Sequence, residues 1–123
     1  MATKILAKKL AKLAFIKKAH KITLIDLRKI SDVTDFFIIC SGDSDTQVRA
    51  IANSIMEEVK KLNISSYHFE GFENAEWIII DFVDIVFHVF QNKTREFFNL
   101  EKIWGEAKQD ILQEKISKKT KRK

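Results

Sequence analysis

The chain has no proline, three glycines and a single cysteine in 123 residues. With so few chain breakers, no stretch before the C-terminal tail reads as a linker, and no internal repeat is present. One cysteine excludes a disulfide framework. Cys40 lies in the apolar run 36–41 and reads as a buried core thiol of a protein kept in a reducing cytosol, not as a nucleophile. Long hydrophobic runs are also missing: nothing approaches the roughly 20 apolar residues of a membrane span, so a cytoplasmic protein is expected. The N-terminus has no apolar signal region, and its lysine-rich helix holds no arginine and almost no serine, unlike a transit peptide.

What is there is a hydrophobic fraction of 46% in one chain of 123 residues, enough for one domain with a real core. That domain is placed at 1–116, followed by a basic tail at 117–123. The net charge of +5 is unevenly spread. Residues 1–29 hold nine basic groups and one acid, and residues 118–123 add five basic groups, whereas residues 30–117 hold eight basic and sixteen acidic groups. An acidic body argues against a dedicated nucleic-acid surface and for a basic partner. A lysine-rich tail fits solvation or weak contact with phosphate.

Periodicity predicts a helix over 3–16, with Ile5, Leu6, Leu10, Leu13 and Ala14 on its apolar side. Strands are predicted at 22–27 and 35–41. Ser44 then reads as an N-cap, with Gln47 completing a capping box, ahead of a helix striped by Val48, Ile51, Ala52, Ile55, Val59 and Leu62. A strand at 67–70 precedes two β-prone runs, 77–82 and 85–90. A short helix containing Phe97 and Phe98 follows, and then a final helix from about 100 carrying Ile103, Trp104, Ala107, Ile111 and Leu112. The order predicts an α/β fold: a mixed sheet of about five strands flanked by helices.

The two runs form the most informative block. A hairpin with a two- or four-residue loop places Ile78, Ile80, Phe82, Ile85, Phe87 and Val89 on one face, a wholly apolar one. The opposite face carries Trp77, Ile79, Asp81, Val86, His88 and Phe90. Two readings are open for it. Helices cover it and Asp81 and His88 satisfy each other diagonally, or it is a partly open patch with a tryptophan anchor, suited to a protein partner.

Catalytic motifs are weak. Ser41-Gly42-Asp43-Ser44-Asp45 is a strand-to-helix turn of the kind that favours anions and resembles the turn of nucleotidyltransferases. Such enzymes need two carboxylates one residue apart on the next strand to hold a metal with the triphosphate. The corresponding positions 53–57 read NSIME inside a helix. His20, His68 and His88 lack metal-ligand spacing. Asp81 and Asp84 diverge across a turn. Neither a catalytic constellation nor a metal or cofactor site emerges.

Three segments nonetheless resemble the ribosomal silencing factors, the Iojap family: KKAHKITLIDLRKISDVTDFFIICSGDSDTQVRAIANSI, FEGFENAEWIIIDFVDIVFHVF and REFFNLEKIW. The combination of Ser41-Gly42, Glu70-Gly71, Trp77 with Asp81, His88-Val89-Phe90, and Leu100-Glu101 with Trp104 is specific. The resemblance implies a nucleotidyltransferase-like fold without the catalytic carboxylates, and an inhibitor of translation under nutrient limitation. Such proteins bind a basic protein on the joining face of the large ribosomal subunit and block association with the small one. Carried onto this chain, it points to Trp77, Ile79, Asp81, Phe98 and Glu101 as partner contacts. Weak contact of the tail with ribosomal RNA and a homodimer through the mixed face are compatible with it. A divergent nucleotidyltransferase using the Gly42 turn is the rival. Two departures stand out: Val83 replaces a glycine common in relatives, and residues 106–123 extend past the usual end.

Overall fold

In the computed structural model, residues 3–64 and 67–111 are described. Leu112, the boundary drawn at 116–117 and the basic tail lie outside them. The elements run α1 (Thr3–Ile16), β1 (His20–Asp26), β2 (Phe36–Gly42), α2 (Asp45–Lys61), β3 (His68–Glu70), β4 (Trp77–Asp81), β5 (Ile85–Gln91), α3 (Asn92–Phe98), α4 (Leu100–Ile103) and β6 (Lys108–Ile111). The strands form one mixed sheet in the order β3-β4-β5-β2-β1-β6. The central pair β2 and β5 is parallel, and every other neighbouring pair is antiparallel.

The two faces differ in what covers them. Alternation sends Leu24, Phe36, Ile38, Cys40, Ile78, Ile80, Ile85, Phe87 and Val89 to the face that α1 and α2 cover. There they meet Ala7, Leu10, Ala11 and Ala14 of α1 and the predicted stripe Val48, Ile51, Ala52, Ile55 and Val59 of α2. Burying each large side chain of this kind contributes about 1.5–3 kcal/mol, so this layer carries most of the stability. The second face holds a smaller cluster, Ile25, Leu27, Ile39 and Phe90. Phe37, Trp77, Leu100, Trp104 and Ala107 pack against it. Cys40 is fully buried, and burial pushes its thiol up to about 12, so it stays protonated.

Several local expectations are refined. Ile5 is exposed, because α1 turns its alanine-lined side to the sheet. Leu62 falls at the C-cap of α2, half-buried. Ser44 Oγ accepts from the Gln47 N–H at 3.2 Å, but Gln47 Oε1 accepts from Asp43 N–H, one residue before the cap, rather than from Ser44.

The final helix is the main correction. It stops at Ile103, Trp104 caps it, and residues 108–111 form a sixth strand paired with β1. Gly105 follows the cap and favours termination. Gln109 donates to the carbonyls of Glu101 and Trp104, satisfying groups a longer helix would have bonded internally. The outer edge of β1 offers unpaired backbone groups that a strand satisfies and a helix cannot. Trp104 and Ala107 had helical spacing only because a turn brings both onto the second face.

The hairpin has the two-residue loop Val83-Asp84, with Phe82 N–H donating to the Ile85 carbonyl at 2.8 Å. Val83 sits at φ 77°, and Asp84 N–H reaches back to the Phe82 carbonyl at 3.0 Å. A β-branched residue in this region is strained by about 1–3 kcal/mol, which accounts for a glycine suiting this position. Val83→Gly should therefore raise stability by about 1 kcal/mol, after allowing for the greater freedom of glycine in the unfolded chain. An unchanged or lower urea midpoint would contradict the strain assigned to this turn.

Candidate functional site

β4 starts where it does because the preceding loop is held at several points. Gly71 has φ 91°, and a Cβ there would collide with the Trp77 carbonyl oxygen, so only glycine lets the chain pass this close. Arg49 of α2 donates from Nε to the Phe72 carbonyl at 2.9 Å and from Nη2 to that of Glu73 at 2.7 Å. The Gln91 side-chain amide donates to the Ala75 carbonyl at 3.0 Å. Trp77 is thus delivered to the second face at a fixed height.

Once there, the indole is surrounded on several sides. It stacks on Phe90 with ring centroids 4.8 Å apart, and Phe98 lies 4.8 Å away at 46°. Its Nε1–H donates to His88 Nδ1 at 3.0 Å. This rules out the Asp81–His88 pairing that the covered-face reading offered. His88 stands opposite Ile79, so Trp77 and Asp81 are both its diagonal neighbours. The long indole reaches it, while the short Asp81 side chain turns to its own loop and accepts from Val83 N–H at 2.8 Å.

An indole nitrogen only donates, so Nδ1 of His88 must accept and the neutral ring carries its proton on Nε2. That Nε2–H is buried and has no partner among the described residues. Burial also lowers the His88 pKa to about 4, so the ring is neutral at physiological pH. Phe37 crosses the imidazole edge-on at 4.5 Å and meets Trp104 at 5.9 Å. A run of rings therefore crosses the second face: Phe97, Phe98, Trp77, His88, Phe37, Trp104.

The C-terminal helices cover only part of this face. Ile79 and Val86 are half-buried and Asp81 is exposed. Phe97 is 82% exposed, Phe98 43% and Ile103 66%. Glu70 of β3 pairs with Ile79, which puts a second carboxylate on the same side as Asp81. Apolar surface next to acidic groups is the composition expected where a basic protein docks. Of the candidate contacts, Trp77 and Phe98 touch, and Ile79 and Asp81 follow Trp77 along β4.

Glu101 is placed differently. Its Oε2 accepts from Arg95 Nη2 at 2.9 Å and Nε at 3.1 Å, and its Oε1 is buried without a partner among the described residues. Arg95 is 6% exposed and also donates to Ser41 Oγ at 3.0 Å and Thr23 Oγ1 at 3.2 Å. Sequence reasoning missed this residue. The available signal was a pair of hydroxyls, Thr23 and Ser41, at inward positions of apolar strands, which requires a polar partner from elsewhere.

Arg95, Ser41 and Glu101 line a cleft of about 220 Å³ together with Lys21, Asn92, Glu96 and Asn99, beside the Gly42 turn. The turn carries Asp43 and Asp45, whose carboxylates are held below the usual range by hydrogen bonds from His20 and Arg49 respectively, so both are ionised. Positions 53–57, where a metal-holding carboxylate pair would stand, lie within α2. Among the described residues no group of three or more His, Cys, Asp or Glu is placed to hold a metal ion, and no helix is long and apolar enough to cross a membrane.

The sequence model of the family described as "Ribosomal silencing factor during starvation" matches residues 1–123. The chain belongs to this family. The ribosomal silencing factor RsfS of Bacillus subtilis is 44% identical over 91 residues, covering 74% of this chain and 77% of that protein. A mouse protein named mitochondrial assembly of ribosomal large subunit protein 1 is 31% identical over 91 residues, 72% of this chain and 40% of its own length. A crystal structure of a Chromobacterium violaceum protein superposes with a TM-score of 0.82 at 30% identity, covering 85% of this chain and 88% of that one. The family membership read from residues 17–104 is confirmed.

Two outcomes follow for the family member described here. Arg95→Ala removes the cation from a part-buried carboxylate and two hydroxyls and should cost about 1–3 kcal/mol in urea unfolding; a loss under about 0.5 kcal/mol would show that the network is dispensable. The folded state keeps His88 neutral down to about pH 4, whereas the unfolded chain protonates it near 6.5. The unfolded state therefore binds more protons between those values, and stability falls as pH drops from about 6.5 to about 4. The full span is on the order of 3 kcal/mol. His88→Asn should lack this part of the acid limb, so its unfolding midpoint should close on the wild-type midpoint as pH falls.

Proposed function

We propose that this protein docks on the large ribosomal subunit through the open part of the second sheet face and prevents the small subunit from joining. Its mechanism is occlusion, not catalysis: occupying the joining surface represses translation in the cytoplasm, with nutrient limitation as the setting. The observation that carries the reading is the fixed Trp77 indole beside Ile79, Phe98 and the carboxylate of Asp81, on a face its own helices leave partly open. An apolar anchor rimmed by acid suits a basic ribosomal protein, with attraction raising the rate of encounter and the anchor setting residence time. Family membership and the relative named for ribosomal large subunit assembly support that partner. Glu101 contributes at the margin, through the part of its side chain that stays exposed beside Arg95. The lysine-rich tail adds weak contacts to nearby RNA, and a homodimer through the same face would compete with docking.

The cleft at the Gly42 turn is the one feature that favours the rival, a divergent nucleotidyltransferase. Calorimetric titration with a nucleoside triphosphate and magnesium separates the two, since heat of binding is required by the enzyme and not by the docking factor. For docking, Trp77→Ala should fold normally and bind isolated large subunits at least ~30-fold more weakly, the effect of losing an anchor worth about 2 kcal/mol. It should also fail to block subunit joining on a sucrose gradient. Undiminished co-sedimentation at near-stoichiometric concentration would remove Trp77 from the interface.

A further inference from the structure

We infer that His88, though buried beneath the docking face, sets the orientation of the Trp77 indole and so acts as a positioning residue for partner binding. The inference rests on the docking reading above. Three observations carry it. The only polar atom of the indole donates to His88 Nδ1 at 3.0 Å, so what a partner meets at Trp77 is hydrocarbon. The imidazole cannot follow a moving indole: it is 4% exposed, crossed by Phe37 at 4.5 Å, with Phe90 nearly parallel to it at 6.2 Å. Finally, its Nε2–H is buried and meets no acceptor among the described residues. A leucine or phenylalanine would fill the same space but leave the Trp77 Nε1–H without its acceptor, so the imidazole is accounted for by that hydrogen bond and not by packing alone.

The half-exposed indole gains most from such a tether. Its ring neighbours, Phe90 stacked on it and Phe98 tilted at 46°, tolerate sliding and ring reversal, because such contacts are only weakly directional. The hydrogen bond selects one arrangement before the partner arrives and lowers the ordering cost of association. His88 thus acts through Trp77 and touches no partner atom itself.

The test compares His88→Leu, which fills the site without an acceptor, with His88→Asn, whose amide oxygen stands near the place of Nδ1. Full-length proteins are titrated against isolated large subunits by co-sedimentation, with urea unfolding and the Trp77 indole N–H resonance measured alongside. His88→Leu should stay folded, bind roughly tenfold more weakly and show a shifted, solvent-exchanging indole proton, while His88→Asn binds within about threefold of the wild type. A stable His88→Leu protein that binds within twofold of the wild type overturns the inference, as does a stable His88→Asn protein as weak as the leucine variant. If neither variant folds, the wild-type protein decides: rapid solvent exchange of the Trp77 indole proton rules out the tether, and protection supports it. Loss of binding in Trp77→Ala with full binding in His88→Leu would sink this inference alone, whereas full binding in Trp77→Ala would sink the docking reading itself.

Discussion

Arg95 lies beneath the C-terminal helices with its guanidinium against Thr23 of β1, Ser41 of β2 and Glu101 of α4. A buried cation has no tolerance for partial solvation, so these groups must arrive together or the charge is left exposed to a low-dielectric interior. The same requirement fixes α3 and α4 at one height over the sheet. Phe98 on α3 and Trp104 at the end of α4 take their places beside Trp77 and Phe37 accordingly. The first face needs no such device, since two long helices and a continuous apolar layer hold it.

The second face is therefore an unequal structure. Near β1 and β2 it is sealed by Leu100, Trp104 and Ala107 over Ile25, Leu27 and Ile39. Toward β4 the cover thins, and Ile79, Val86 and Asp81 meet solvent in part or in full. The aromatic run crosses the boundary between these regions, with His88 at its buried middle and Phe97 at its exposed end. This face is closely packed around His88 and open toward Ile79, Asp81 and Phe97. Short cover helices tied down by one buried ion pair make that combination out of seven- and four-residue elements, which alone would not be stable in water.

Strict alternation made the hairpin readable residue by residue. Every position assigned to its apolar face is buried, and the loop length follows the same register. The stripe of α2 and the Ser44 cap were equally local and equally legible. What local pattern could not reveal was anything decided by a distant partner. The segment 108–111 carries no strand signature and pairs because β1 leaves an edge free. Arg95 looks like one more surface charge until Thr23 and Ser41 are placed beneath it. His88 had two diagonal neighbours, and only side-chain length decided between them. Of the site, the composition of the mixed face was visible, and its openness was not, because that depends on where α3 and α4 stop.

The ion network and the sixth strand also bear on the order in which the protein comes into being. Thr23 and Arg95 are separated by 72 residues, and β1 pairs with the strand beyond them. Contacts this far apart in sequence form late, after the local helices and the hairpin have paid their own entropy of closure. The cover over the second face is completed only where residues 108–111 reach β1. The second face is thus closed by contacts between the first strand and the last one described, whereas the first face is assembled from residues 7 to 89.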